Sequence, residues 1–370
     1  MPADFSDLHD ELRAVARDLL AKGDAAVPAD WYGLEVPEPL DGAGATFAET
    51  AVVLREMGRA AARGPYLGTA VLGAGALGLL EPAPGRDALL RRIASGETAV
   101  ALALPGEHGG DGAPFRLEPA PAGWRVHGRA EFVPDATEAA RLLLPARAPD
   151  GALVIVDAGA GAAGLGVDAR PVLDATRRFG DVTADGLAAG EASVRRFGGD
   201  PRAAVRRLSE RAAAAVACDS LGLSEAMLDA TVAYAGVREQ FGRPIGSFQA
   251  VKHACADMLV QVSVARRLVA AAVRGLSGTA PGDPGTDAAV SMAKAHACGV
   301  AVDVAGKAMQ LHGGMGYTWE SGVPVFLKRA VLNRSLFGSP AAHRRRLSER
   351  YRRSPDGGGP WRASGALSTM

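Results

Sequence analysis

Two short stretches carry residue types suited to holding a phosphate-bearing cofactor. The first is Val237-Arg-Glu-Gln-Phe-Gly-Arg-Pro-Ile-Gly-Ser-Phe-Gln-Ala-Val-Lys-His253. It places Arg238 at the end of a helical pattern that Gly242, Pro244 and Gly246 interrupt. An arginine there is a permanent cation with a planar fork of N–H donors, suited to a pyrophosphate. The second is Gln310-Leu-His-Gly-Gly-Met-Gly-Tyr317. Gly313, Gly314 and Gly316 remove side chains where a cofactor backbone has to approach closely, although Gly-Gly-x-Gly alone reads as an ordinary glycine turn. Lys252 and His253 read as a solvated helix face, as do Arg344 to Arg346. Glu210 and Asp219 are carboxylates on one long helical stretch, and Glu320 is placed to cap or pair locally. Cys218, Cys255 and Cys298 lie far apart with no CxxC, and read as buried apolar fillers rather than ligands or disulfides.

Three regions must position these groups. Residues 1–98 read as helical: Leu8, Leu12, Val15, Leu19 and Leu20 recur at helical spacing, and Phe47 to Ala61 repeats the pattern with Val52, Val53, Leu54 and Met57. Trp31 to Gly44, rich in Pro, Gly and Asp, reads as a loop between them. Over residues 99–198 the apolar runs shorten to stretches such as Val100–Leu104, Trp124–Val126, Leu142–Leu144 and Leu153–Val156, a pattern that predicts a β-sandwich or barrel. Asp200 then stands as a helix N-cap with Pro201 at the first helical position. Residues 199–353 follow as four or five long amphipathic helices, broken between Gly275 and Asp287. Ser354 to Met370 reads as a loose, flexible tail. The fold class is α+β, with domains in the order helical, β, helical.

Composition narrows the function. The 370 residues balance 41 basic against 41 acidic side chains and contain 5% aromatics. No basic excess exists to neutralise phosphates and few rings to stack bases, so nucleic acid is not the expected partner. A chain that is 48% hydrophobic and 22% charged has the composition of a globular protein. The longest uncharged run, Gly64 to Leu80, holds five glycines and a proline. It falls short of the ~20 mostly apolar residues of a membrane helix and predicts a buried core segment. Acids at Asp4, Asp7 and Asp10 do not read as an export signal. A cytoplasmic protein without a membrane span is expected.

Together, at this separation and with Phe326-Leu-Lys-Arg329 after the second, the two stretches resemble the acyl-CoA dehydrogenase family. Gly33-Leu-Glu-Val-Pro-Glu38 and Glu56-Met-Gly58 resemble that family's N-terminal helical domain, so the resemblance covers almost the whole chain. It implies N-terminal helices, a central β domain and a C-terminal four-helix bundle that drives oligomerisation. It also implies an FAD shared across a subunit interface, whose adenine and pyrophosphate this chain holds while the flavin ring lies in the neighbouring subunit. The cofactor-binding positions so implied are Arg238, Gln240, Phe241, Ile245, Phe248, Gln249, Gln310, Gly313, Gly314 and Ser339.

The chain also departs from the family. Dehydrogenation needs a carboxylate that takes the α-proton of an acyl thioester while flavin N5 takes the β-hydride. In most members this glutamate follows the Gly-Gly-x-Gly segment, directly before a Gly-Thr. The ungapped equivalent here is Phe337, followed by Gly338 and Ser339. A minority carry the base in the first bundle helix, ahead of a Leu-Gly-Leu, where this chain has Ala212 beside Ala213. Neither accepts a proton. Glu210 is a weak substitute, because a two-residue offset turns a side chain roughly 200° around a helix. The family run Thr-Glu-Pro-x-x-Gly-Ser-Asp appears as Leu104-Pro-Gly-Glu-His-Gly-Gly-Asp111, with Leu104 for the threonine and Gly110 for the serine. The run Trp-Ile-Ser/Thr-Asn appears as Phe132-Val-Pro-Asp135, where Pro134 offers neither hydroxyl nor N–H.

Segments that serve a neighbour's FAD are kept, and those that serve the chain's own flavin ring, substrate and base are lost. This split, with Leu336-Phe-Gly-Ser-Pro-Ala-Ala-His343, resembles the non-catalytic subunit of the heteromeric acyl-CoA dehydrogenases of actinobacterial sterol catabolism. The partners so implied are a second acyl-CoA dehydrogenase-like chain and an acyl thioester of coenzyme A or a carrier protein. A self-sufficient homomeric flavoenzyme with a displaced base, and a non-redox scaffold of the same fold, are the alternatives.

Overall fold

The computed structural model describes residues 6–22, 27–104, 113–278 and 284–353. The expected tail from Ser354 and most of the run that begins at Leu104 lie outside the described residues. Amphipathic spacing yields α1 (Ser6–Leu20) and α2 (Phe47–Ala60). Thr46 and Glu49 cap α2 reciprocally: Thr46 Oγ1 accepts from Ala48 N at 3.1 Å, and Thr46 N donates to Glu49 Oε2 at 2.8 Å. The uncharged run is core. A π-helical segment over Leu67–Ala74 leads into the short α3 (Gly75–Gly78), with Tyr66, Val71, Leu72 and Leu77 buried. α4 (Pro84–Ala94) follows.

Eight strands come next: β1 (Val100–Leu102), β2 (Phe115–Ala120), β3 (Gly123–Pro134), β4 (Arg141–Arg147), β5 (Leu153–Gly159), β6 (Leu165–Ala169), β7 (Phe179–Ala189) and β8 (Val194–Arg196). They join in one hydrogen-bonded sheet of order β6-β7-β3-β2-β4-β5-β8, with β1 alongside β4. The runs Leu142–Leu144 and Leu153–Val156 are apolar at successive positions because both faces of β4 and β5 are covered. Leu142, Leu144, Val154 and Val156 pack inside the sheet domain, whereas Leu143, Leu153 and Ile155 join the core formed with the helices. β2 instead alternates buried Phe115 and Leu117 with exposed Arg116 and Glu118.

α5 (Pro201–Val237) starts where the Asp200 carboxylate accepts from Arg202 N and Ala203 N at 3.0 and 3.3 Å. A hairpin of β9 (Glu239–Gln240) and β10 (Arg243–Pro244) separates it from α6 (Gln249–Gly278). Then come α7 (Pro284–Leu311), α8 (Val323–Ser335) and α9 (Pro340–Arg353). α7 packs against α5, α6, α8 and α9 and is largely buried, with Asp287, Asp303 and Lys307 exposed. Residues 285–311 are long and apolar enough to cross a membrane, yet 61% of the most apolar window is buried inside the protein. α2 and α5 meet backbone to backbone. A Cβ on Gly58 would stand 1.9 Å from Asp219 O, and one on Gly222 would stand 1.8 Å from Arg55 O. This contact sets Asp219 directly against the N-terminal helices.

Candidate functional site

The arginine-bearing segment leaves α5 as an exposed arm. Arg238 N donates to Tyr234 O at 2.9 Å and Ile245 N returns to Arg238 O at 2.8 Å, closing the hairpin on the helix end. Phe241 and Gly242 turn it with positive φ of 54° and 76°, a backbone that suits the tight hairpin turn but strains a phenylalanine. Phe241 is 92% exposed. Its ring meets Phe248 edge-on at 6.2 Å, and the Arg243 guanidinium sits over the other ring at 4.2 Å. Arg238, Gln240 and Gln249 are exposed, with Ile245 half-buried behind them. The Arg238 guanidinium has no partner among the described residues. Gln310 is exposed at the end of α7, and Gly313 follows with φ 59°. A Cβ on Gly313 or Gly314 would meet nothing within 4 Å. The arm and the glycine turn share one end of the bundle, where the Tyr234 ring stacks on His312.

These residues fit the outer half of a dinucleotide. An unpartnered guanidinium, exposed amides, an open glycine surface and an exposed ring match a pyrophosphate with an attached base. Ser339 lies elsewhere, at the start of α9, where its Oγ accepts from Ala342 N at 3.2 Å.

Of the positions that would serve the chain's own site, Pro134 borders a small polar cavity. Pro134, Asp135, Thr176, Arg177, Asp219 and Arg329 line a cavity of about 20 Å³, enough for roughly one water molecule. Arg329 grips Asp219 at two points, with Nε to Oδ2 at 3.0 Å, and also donates to Thr176 Oγ1 and Ala62 O. Asn333 Nδ2 donates to Asp219 Oδ2 at 2.6 Å, and Arg177 Nη2 stands 3.1 Å from the same oxygen. Burial alone would raise the Asp219 carboxyl, but the Arg329 and Arg177 charges outweigh it and hold it at about 2. Asp135 behaves in the opposite way. Burial pushes it up to about 7 against the pull of a 2.7 Å bond from Gly68 N.

The usual base positions carry none. Ala212 is fully buried. Phe337 is half-buried with φ 53°; its carbonyl accepts from His343 Nε2 at 3.0 Å and that of Gly338 from Lys294 Nζ at 2.8 Å. Glu210 is 8% exposed and stands 4.0 Å from Arg207, which donates to Leu276 O on α6. Nine residues separate it from Asp219, roughly half a turn around α5, so it faces away from the cavity. Leu104 is buried, and Gly110 lies outside the described residues. Lys252, His253 and Arg344 to Arg346 are exposed. The three cysteines are free, with Cys218 and Cys298 buried, and no group of metal-binding side chains occurs among the described residues.

Sequence reasoning missed the Asp219–Arg329–Arg177 cluster and the Tyr234–His312 stack. A usable signal existed for the first: Asp219 is a lone carboxylate inside the apolar stretch Ala212–Leu223, and a charge there implies a buried partner.

The comparisons with known proteins identify the family and the fold. Residues 202–351 match the family model "Acyl-CoA dehydrogenase, C-terminal domain". Acyl-CoA dehydrogenase IpdE2 of Mycobacterium tuberculosis is 31% identical over 324 residues, covering 87% of this chain and 83% of the relative. The ChsE4–ChsE5 complex from Mycobacterium tuberculosis contains a chain with TM-score 0.82 and 26% identity, covering 95% of this chain and 100% of that one. A chain of the Tcur3481–Tcur3483 steroid ACAD G363A variant has TM-score 0.79 and 27% identity, covering 94% of this chain and 98% of its own length. From helix ends to sheet to bundle, this chain belongs to the acyl-CoA dehydrogenase family.

Proposed function

We propose that this chain is the non-catalytic subunit of a heteromeric, FAD-dependent acyl-CoA dehydrogenase that introduces an α,β double bond into an acyl thioester. A bound FAD supplies the hydride acceptor for that chemistry. One observation carries the reading: Arg238, Gln240 and Phe241 face outward on an exposed arm, while the usual base positions, Phe337 and Ala212, carry no carboxylate. Two related complexes support it by analogy, since their names describe paired chains.

In this reading Arg238 holds the pyrophosphate, and Gln240, Gln249 and Gln310 offer amide hydrogen bonds. Phe241, Ile245 and Phe248 provide an apolar wall, and Gly313 and Gly314 let the dinucleotide lie against the backbone. Ser339 offers a hydroxyl near the lost base position. The α-proton is taken by a glutamate of the partner chain. Residues 1–98 and 99–198 hold the bundle and arm in place, and the assembly is cytoplasmic and free in solution. The thioester carrier is coenzyme A or a carrier protein.

Turnover of an acyl-CoA with an artificial electron acceptor tests the division. Glu210→Gln in this chain is expected to leave turnover of the two-chain assembly unchanged, and a Glu→Gln change at the partner's base to abolish it. Turnover by this chain alone, lost on Glu210→Gln, supports a self-sufficient enzyme instead.

A further inference from the structure

We infer that Tyr234 and His312 form a stacked clamp that sets the distance between the arginine arm and the glycine turn, making them positioning residues for the adenine–pyrophosphate half of FAD; this rests on the function proposed above. The two rings lie 4.4 Å apart between centroids and 21° from parallel, in residues 78 apart in sequence. Each stands at the root of one segment. Tyr234 O accepts from Arg238 N at 2.9 Å, so the last turn of α5 carries the arginine directly. His312 immediately precedes Gly313, and Tyr234 Oη donates to His312 O at 3.3 Å. A path from Arg238 to Gly313 therefore runs through one backbone hydrogen bond and one paired set of rings.

The surroundings stiffen both sides. His312 Nδ1 donates to Ala308 O at 2.7 Å, which fixes the ring plane and leaves the proton on Nδ1. A Cβ on Gly316 would stand 2.3 Å from Met309 O, so the glycine turn folds tightly onto the end of α7. A Cβ on Gly246 would stand 2.9 Å from Ala235 O, so the arm folds equally tightly onto the end of α5. Each segment is a rigid extension of its helix, and the stack joins the two helix ends. A dinucleotide that touches both needs them at one spacing, and misplacement by about 1 Å is enough to cost ~100-fold in function.

The test measures FAD affinity and the melting temperature of the flavin-free protein, using full-length chains in whichever assembly retains FAD. Tyr234→Ala and His312→Ala are expected to weaken FAD about tenfold or more with little change in melting temperature. Tyr234→Phe keeps the stack and is expected to restore affinity to within about threefold. Unchanged FAD affinity in both alanine variants overturns the clamp. So does a parallel fall in affinity and melting temperature, the mark of a merely structural pair. Arg238→Ala is the reference. If it also leaves FAD affinity unchanged, or if no assembly retains FAD, the nucleotide role itself fails and the clamp fails with it.

Discussion

Asp219 on α5 and Arg329 on α8 form a two-point ion pair inside the protein, with side chains 1% and 2% exposed. Ala62, Thr176, Arg177 and Asn333 complete its polar shell, so one cluster joins the N-terminal helices, the sheet domain and the bundle. Removing one partner leaves a buried charge uncompensated. Arg329→Met is expected to lower stability by about 3–5 kcal/mol, read as the urea midpoint. Asp219→Leu combined with Arg329→Met is expected to cost less than the sum of the two single changes, because neither charge is then stranded. Strict additivity would show that the pair is not coupled.

Asp135 borders the same cavity and titrates in the opposite sense. Its folded value of about 7 lies above the ordinary 3.8, so its contribution is full below about pH 4 and is lost as pH rises through 7. Asp219, held at about 2, contributes above about pH 4 and is lost as pH falls through 2. Asp135→Asn keeps an acceptor for Gly68 N and removes the charge that burial penalises. It is expected to match the parent near pH 3.5 and to be more stable at pH 8, by at most about 4 kcal/mol at ~1.4 kcal/mol per pKa unit. Unfolding at the two pH values checks this, and equal destabilisation at both would refute it.

The α2–α5 contact leaves no space for a methyl group. A Cβ at Gly58 or Gly222 would run into backbone carbonyls at 1.9 and 1.8 Å, and backbone cannot rotate away as a side chain does. Gly58→Ala is expected to cost about 3 kcal/mol or more, and to loosen Asp219 because its own carbonyl is the atom displaced. Thermal unfolding reads the loss; a neutral substitution would show that the helices slide apart freely.

Arg238 makes the complementary case. Its side chain is exposed and unpartnered among the described residues, so Arg238→Ala is expected to leave the melting temperature within about 1–2 °C. Losing a charge-assisted contact of ~1.5–3 kcal/mol is expected to weaken FAD in the assembly about ten- to hundredfold. Equilibrium dialysis of FAD checks the second half.

Much of the architecture was legible where the signal is local. Asp200 and Pro201 mark the start of α5, glycines and proline mark the arm between α5 and α6, and short apolar runs mark β4 and β5. The path of the sheet was not legible, because β2 pairs with both β3 and β4 and register depends on partners distant in sequence. The partner of Asp219 was hidden for the same reason: Arg329 lies 110 residues away. Left-handed backbone at Phe132, Phe241 and Phe337 also leaves no trace, since local propensity places glycine, asparagine or aspartate at such positions and phenylalanine elsewhere.

FAD content per chain tests the central proposal most directly. The absorbance spectrum of this chain expressed alone is predicted to show no bound flavin, and that of its assembly with a related acyl-CoA dehydrogenase chain about one FAD per two chains, with the bound cofactor stabilising the pair. One FAD per chain in the protein expressed alone would contradict the division of labour between two subunits.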